Sequence, residues 1–224
     1  MSNVSVFEIM GPVMIGPSSS HTAGAEKLGK AASSILDKSF DSVEFYLHGS
    51  FAKTYKGHGT DKALVAGILG MSADDERLRD SLQIAEQMGI KVEFIETDLG
   101  EVHPNTAKIV IKDKDVVLLT LVGSSIGGGN IIINEIDGSE LEISGQYPVI
   151  IASYSDVKGM ISKITGVIAS NGVNIATLKV SRSSKGEVAT TVIETDNAAT
   201  TAIVDQISEL ENVISVRVLN SLLD

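Results

Sequence analysis

The 224-residue chain has no cysteine and no tryptophan. Without cysteine no disulfide can form, and nothing points to an oxidising compartment. Aromatic residues make up only 4% of the chain, too few for the stacking platforms that hold single-stranded nucleic acid. Basic residues are scarce as well: 18 Lys and Arg face 29 Asp and Glu, a formal net charge of −11. Nucleic acids and anionic membranes both call for a basic face, so neither is an expected partner. No apolar run approaches the ~20 residues that a spanning helix needs. The opening Met1-Ser2-Asn3-Val4-Ser5 lacks the basic stretch and apolar core of a signal peptide. A cytoplasmic protein is the expectation. What remains is ordinary globular composition, 43% hydrophobic and 21% charged, at a length that suffices for one or two domains.

The stretch richest in chemistry is Gly16-Pro17-Ser18-Ser19-Ser20-His21-Thr22-Ala23-Gly24. It sets hydroxyls and an imidazole behind a Gly-Pro turn, just ahead of Ala23 to Leu36, an Ala- and Lys-rich segment that reads as a helix. One serine caps a helix start; three, with His21 and Thr22 beside them, exceed that need. A helix start carries partial positive charge and attracts carboxylates. His21 places a titratable group beside any anion held there. Ser18, Ser19, Ser20 and Thr22 are therefore candidate substrate-binding residues, and His21 is a candidate acid–base or orienting group.

The other histidines are spread along the chain. His58 lies in Lys56-Gly57-His58-Gly59-Thr60-Asp61-Lys62-Ala63, read as a glycine-flanked loop before a helix capped by Thr60 or Asp61. His103-Pro104-Asn105-Thr106 reads as a rigid turn before a strand, with Asn105 and Thr106 able to bond a substrate or a facing loop. His48 ends a strand and reads as structural. No pair of histidines has the i, i+4 spacing of a helical metal pair, so no metal site is assigned. No Gly-x-Ser-x-Gly elbow with an ordered acid is visible, which disfavours a Ser–His hydrolase.

Alternation and turn signals organise the rest. Residues 43–48 and 92–95 read as strands, and helices are expected from Thr60 to Leu69 and from about Asp74 to Met88, closed by Gly89. Asp113-Lys114-Asp115 and Asp137-Gly138-Ser139 read as hairpin turns, between strands 107–112 and 116–122 and between strands 130–136 and 140–144. Gly123 to Asn130 reads as a flexible loop, a turn or a segment near a partner chain; no helix follows it, so it is not a phosphate-binding loop. The fold class expected is α+β: an N-terminal antiparallel sheet with helices on one side over residues 1–145, a linker at Gly145 to Pro148, and a second domain over 149–224. In that second domain strand, helix, strand, strand, helix, strand follow one another, the ferredoxin-like βαββαβ order.

Asp156-Val157-Lys158-Gly159-Met160-Ile161 and Asn171-Gly172-Val173-Asn174-Ile175 resemble an ACT domain. The resemblance implies self-association and a small effector. Asp156, Gly159 and Asn174 are the candidate effector residues, expected at one end of the sheet, with Asp156 suiting an ammonium group or monovalent cation. A domain kept only for dimerisation is the alternative.

The first motif, extended back to Gly11-Pro12-Val13-Met14-Ile15, resembles the signature of the β chain of bacterial iron–sulfur-dependent L-serine dehydratase; the His58 and His103 segments match in the expected order. The resemblance implies a lyase that deaminates L-serine to pyruvate and ammonia, with His21 and His58 in the catalytic site. It also implies a [4Fe–4S] cluster. Clusters are held by thiolates, so with no cysteine here the ligands must sit on a partner α subunit. A non-catalytic amino-acid-sensing protein is the alternative function.

Overall fold

Helix α1 (Ala23–Leu36) carries the longest buried stripe of the N-terminal half, from Ala23 through Leu28 and Ala32 to Leu36. Asp37 ends it in a left-handed conformation, its N–H bonded to Ser33 O. The computed structural model describes residues 13–182, 184–220 and 222. Gly11 and Pro12 of the first motif and the outermost ends of the two expected domains lie outside them.

After α1 come β1 (Ser42–Leu47), α2 (Gly49–His58), α3 (Thr60–Ile68), a 3-10 turn (Glu76–Asp80), α4 (Ser81–Gln87), β2 (Lys91–Glu96), β3 (Thr106–Asp113), β4 (Val116–Gly127), β5 (Asn130–Ile136) and β6 (Ser139–Ile143). The strands run in the order β2-β1-β3-β4-β5-β6. Pairing is antiparallel from β1 through β5, whereas the edge strand β2 runs parallel to β1, with Ser42 opposite Lys91. A parallel neighbour requires a long crossover, and α2, α3 and α4 supply it. On β1, buried Val43, Phe45 and Leu47 alternate with half-buried Ser42, Glu44 and Tyr46. α1 packs on β4 and β5 and crosses α3 at two glycines. A Cβ at Gly29 would overlap Leu64 O, and one at Gly67 would overlap Glu26 O, so the two backbones touch.

Two expected hairpins are present. Lys114 and Asp115 both have positive φ (47° and 66°), as do Asp137 and Gly138 (50° and 79°), the geometry that suits tight two-residue turns. The expected helix over 74–88 is instead a 3-10 turn followed by α4. Asp75 caps the turn by accepting Arg77 N–H, and Ser81, at the start of α4, donates its hydroxyl to Lys62 O. The expected loop over 123–130 is mostly strand: β4 continues to Gly127, and only Gly128 and Gly129 turn the chain.

Contacts divide the chain between Gly138 and Ser139. The second unit begins with β6 and then contains β7 (Val149–Ser155), α5 (Met160–Ser170), β8 (Ile175–Arg182), β9 (Val188–Thr195), α6 (Thr201–Ser208) and β10 (Val213–Leu219), which from β7 onward follow the expected βαββαβ order. Its four strands form an antiparallel sheet in the order β10-β7-β9-β8. Ile150, Ala152 and Tyr154 of β7 pack with Ile164 and Ile168 of α5 and Ile203 and Ile207 of α6. Among the described residues no helix is long and apolar enough to cross a membrane.

Candidate active site

The serine run is a tight turn that feeds α1. Ser18 O accepts Thr22 N–H at 2.8 Å and Ser19 O accepts Gly24 N–H at 2.9 Å. Ser18 Oγ accepts His21 N–H at 3.4 Å. Thr22 occupies the N-cap position without using its side chain as a cap. Its hydroxyl is buried, without a hydrogen-bond partner among the described residues, and packs against Gly16, where a Cβ would overlap it. Ser18, Ser19, Ser20 and His21 remain half-buried.

The His21 ring is gripped on several sides. Ser18 Oγ lies 3.4 Å from Nδ1 and Ser50 Oγ 3.2 Å from Nε2. The His58 ring meets it edge-on at 4.8 Å between centroids, and Phe51 does so at 5.3 Å. Burial, and secondarily the neighbouring His58, hold His21 below its ordinary 6.5, so its neutral form is favoured.

His58 does not lie in a loop. It ends α2, and Gly59 (φ 71°) follows in the left-handed conformation that permits the helix end. His58 Nδ1 is buried without a hydrogen-bond partner among the described residues. Neither Thr60 nor Asp61 caps α3; Gly59 holds that position. Thr60 is fully buried, its hydroxyl without a partner among the described residues. Burial raises the Asp61 carboxyl above its ordinary value, opposed by the Lys62 N–H it accepts at 2.9 Å.

The His103 turn reaches the same place from the sheet. Pro104 O accepts Ser50 N–H at 2.7 Å, and His103 Nδ1 accepts Asn105 N–H at 3.1 Å. Asn105 is half-buried, and its carbonyl accepts Ser125 N–H at 2.9 Å. Thr106 is fully buried. Its hydroxyl is engaged by His103 O at 2.6 Å and Ser124 Oγ at 2.7 Å, so it braces the turn rather than facing a ligand. His48 is structural: its Nδ1 accepts Leu99 N–H at 3.1 Å.

Segments distant in sequence thus converge on His21. Ser50 and Ser125 belong to this assembly although sequence reasoning missed them. Gly123-Ser124-Ser125-Ile126-Gly127 has Gly-x-Ser-x-Gly spacing. It lies within β4, however, and its central Ser125 is fully buried, with its Oγ against Gly24, so it is no exposed nucleophile. Among the described residues no three His, Asp or Glu side chains are placed to hold a metal ion. With no thiolate in the chain, its donor set does not fit an iron–sulfur cluster.

In the second unit the three candidate effector residues do not share one end of the sheet. Asp156 follows β7, beside Val188 of β9, and accepts Gly186 N–H at 2.9 Å and Arg182 Nη1–H at 3.3 Å. The Gly186 N–H first, and Arg182 next, hold its carboxyl below the ordinary value. Asn174 precedes Ile175, which pairs with Thr195 at the other end of β9, and Asn174 donates Nδ2–H to Asp196 at 2.8 Å. Antiparallel pairing of β7 with β9 and of β9 with β8 produces the separation. Gly159 (φ 91°) caps α5 with open space where a Cβ would stand.

The chain is similar to known proteins over nearly its whole length. A family profile described as "Serine dehydratase beta chain" matches residues 5–91, and one described as "ACT domain" matches residues 149–212. The "Probable L-serine dehydratase, beta chain" of Bacillus subtilis is 46% identical over 212 residues, covering 95% of this chain and 96% of its own. The "L-serine dehydratase, beta chain" of Peptoniphilus asaccharolyticus is 42% identical, covering 94% and 96%. "L-serine dehydratase 2" of Escherichia coli is 31% identical over 69% of this chain, a match that spans 39% of that protein. By its full-length similarity to the first two, this chain belongs to the family of L-serine dehydratase β chains.

Proposed function

We propose that this chain acts with a cysteine-bearing α subunit in the cytoplasm as a lyase that converts L-serine to pyruvate and ammonia. The observation that carries the reading is His21, set between two serine hydroxyls at the entrance to α1, where burial favours its neutral form. In this reading the substrate carboxylate sits at the serine turn. Ser18, Ser19 and Ser20 offer hydroxyls to it, and the positive end of α1 favours its charge. In this reading Thr22 and Thr106, both buried, support the site, and Asn105, which follows the Pro104 whose carbonyl accepts Ser50 N–H, bonds the substrate. His21 accepts the α-proton, with His58 as the ring against it. Loss of that proton and the β-hydroxyl gives the enamine of pyruvate plus water; hydrolysis of its imine tautomer then releases ammonia. The [4Fe–4S] cluster, in this reading, belongs to the α subunit.

The ACT unit supplies self-association. Because Asp156 and Gly159 lie at the end of the sheet opposite Asn174, an effector site that uses all three needs two protomers side by side in opposite directions. A small molecule or monovalent cation would then bind between them.

The test is anaerobic assembly with the α chain, read as pyruvate formed from L-serine. The chain alone should be colourless and inactive. His21→Ala should lower turnover by about 10²–10⁴-fold, the usual worth of a positioned proton-transfer group, with folding unchanged. Turnover by the chain alone, or a loss below roughly tenfold on that same scale, would overturn the reading.

A further inference from the structure

Both ring nitrogens of His21 face serine hydroxyls, yet the two serines are held differently. Ser18 belongs to the turn that His21 itself completes. Its Oγ already accepts the His21 backbone N–H, so its own proton is free for Nδ1, at a long 3.4 Å. Ser50 comes from another element, the first turn of α2, and makes the shorter contact, 3.2 Å to Nε2. It is also fastened to the sheet side of the site. Its N–H donates to Pro104 O at 2.7 Å and its carbonyl accepts the Thr54 hydroxyl at 2.8 Å. Gly49 before it, at φ 58°, packs so closely that a Cβ would come within 2.6 Å of Pro104 O. A hydroxyl anchored in this way fixes the far edge of the imidazole independently of the serine turn.

We propose that Ser50 is a positioning residue: its hydroxyl accepts Nε2–H of His21, selects that tautomer, and leaves Nδ1 as the basic nitrogen. The proposal rests on reading His21 as the proton acceptor. Nδ1 is the nitrogen beside Ser18, on the side of the turn that would hold the carboxylate. The α-carbon is one bond from that carboxylate, so a base aimed at its hydrogen must face the same turn. Substrate displaces the long Ser18 contact. The α C–H bond then breaks, its proton passes to Nδ1, and the electron pair becomes the Cα–Cβ double bond as the β-hydroxide departs. That hydroxide and the transferred proton together make up the water lost. The imidazolium formed in this step keeps donating through Nε2–H to Ser50, which favours the charged form.

The chain has four histidines, few enough for nitrogen-15 spectra of the full-length protein to resolve each ring, with His21→Gln assigning the signal. The wild-type chain should show His21 as the Nε2–H tautomer. Ser50→Ala should give mixed tautomers, and Ser50→Thr, which keeps the hydroxyl, should restore the single form. In the assembled enzyme Ser50→Ala should lower kcat by about ten- to a hundredfold, the cost of a small misplacement of a reacting group. KM should change little, and the acid limb of the pH profile should move to lower pH. Unaltered ring signals and an unaltered pH profile in Ser50→Ala overturn the proposal. If the tautomer changes while His21→Ala leaves turnover intact, the hold of Ser50 on the ring stands and the catalytic reading of His21 falls.

Discussion

At the scale of single residues, the His21–His58 contact gives the proposed proton transfer a pH dependence. Burial lowers the His21 pKa first and the neighbouring His58 adds to it. His58→Gln removes the second cause and leaves the first, so the acid limb of kcat/KM should move to higher pH yet stay below 6.5. A limb that does not move, followed from pH 4 to 8, would mean that the His21 charge does not sense His58. The same depression affects folding. Between the folded-state pKa of His21 and 6.5 the unfolded chain binds the proton more readily, so stability declines as pH falls through that window. Two buried threonines make a contrasting pair. Thr106→Val removes a hydroxyl bonded to His103 O and Ser124, and should cost about 1–3 kcal/mol. Thr60→Val removes a buried hydroxyl that has no hydrogen-bond partner among the described residues and should be neutral or stabilising in thermal melts. Equal destabilisation by both would contradict this account.

At the scale of elements, the site depends on how closely α1 lies on α3. Gly67→Ala would drive a methyl group into Glu26 O and within 2.6 Å of Lys30 N, both backbone atoms. Overpacking of this kind costs typically about 1–3 kcal/mol, a loss of roughly 2–4 °C in Tm per kcal/mol for a chain of this size. Displacement of α1 should also raise KM for serine in the assembled enzyme. An unchanged Tm would show that the helices can separate freely. The sequence made some elements plain and others not. α1 was legible because fourteen consecutive residues carry an apolar stripe unbroken by proline, and the hairpins were legible because Asp137-Gly138 and Lys114-Asp115 tolerate positive φ. α2 was not, since its ten residues include two glycines and bury only Phe51; glycines read as a loop, and this hid both Ser50 and the helical setting of His58. The glycines of β4 misled in the same way. Gly123 is small because Leu28 of α1 packs on it, and Ser125 in the same strand packs on Gly24 of α1, so this stretch serves close packing rather than flexibility. The separation of Asp156 from Asn174 depends on strand register, which local pattern does not carry.

For the whole molecule, the division between Gly138 and Ser139 predicts how the second unit can be isolated. Ser139 Oγ lies 3.2 Å from Thr190 Oγ1, Glu142 pairs with Lys179 at 2.8 Å, and Gly145 O accepts Leu222 N–H at 2.9 Å. A fragment from residue 139 should therefore melt higher than one from residue 149, and both should self-associate in sedimentation. Equal melting temperatures would assign no stabilising role to residues 139–148. The N-terminal unit has a different consequence, one of timing. Its candidate site joins Ser18 and His21 to Ser50, His58, Pro104 and Ser125. The crossover that carries Ser50 and His58 is fastened at its far end only when β2 pairs in parallel with β1. Synthesis proceeds from the N-terminus at about 5–20 residues per second. A growing chain therefore displays the serine turn and α1 for seconds before the strands that complete the site have left the ribosome. Until β4 has emerged, α1 has no sheet to cover its apolar stripe, so the motif most telling in the sequence sits beside the surface most exposed to misassociation during synthesis.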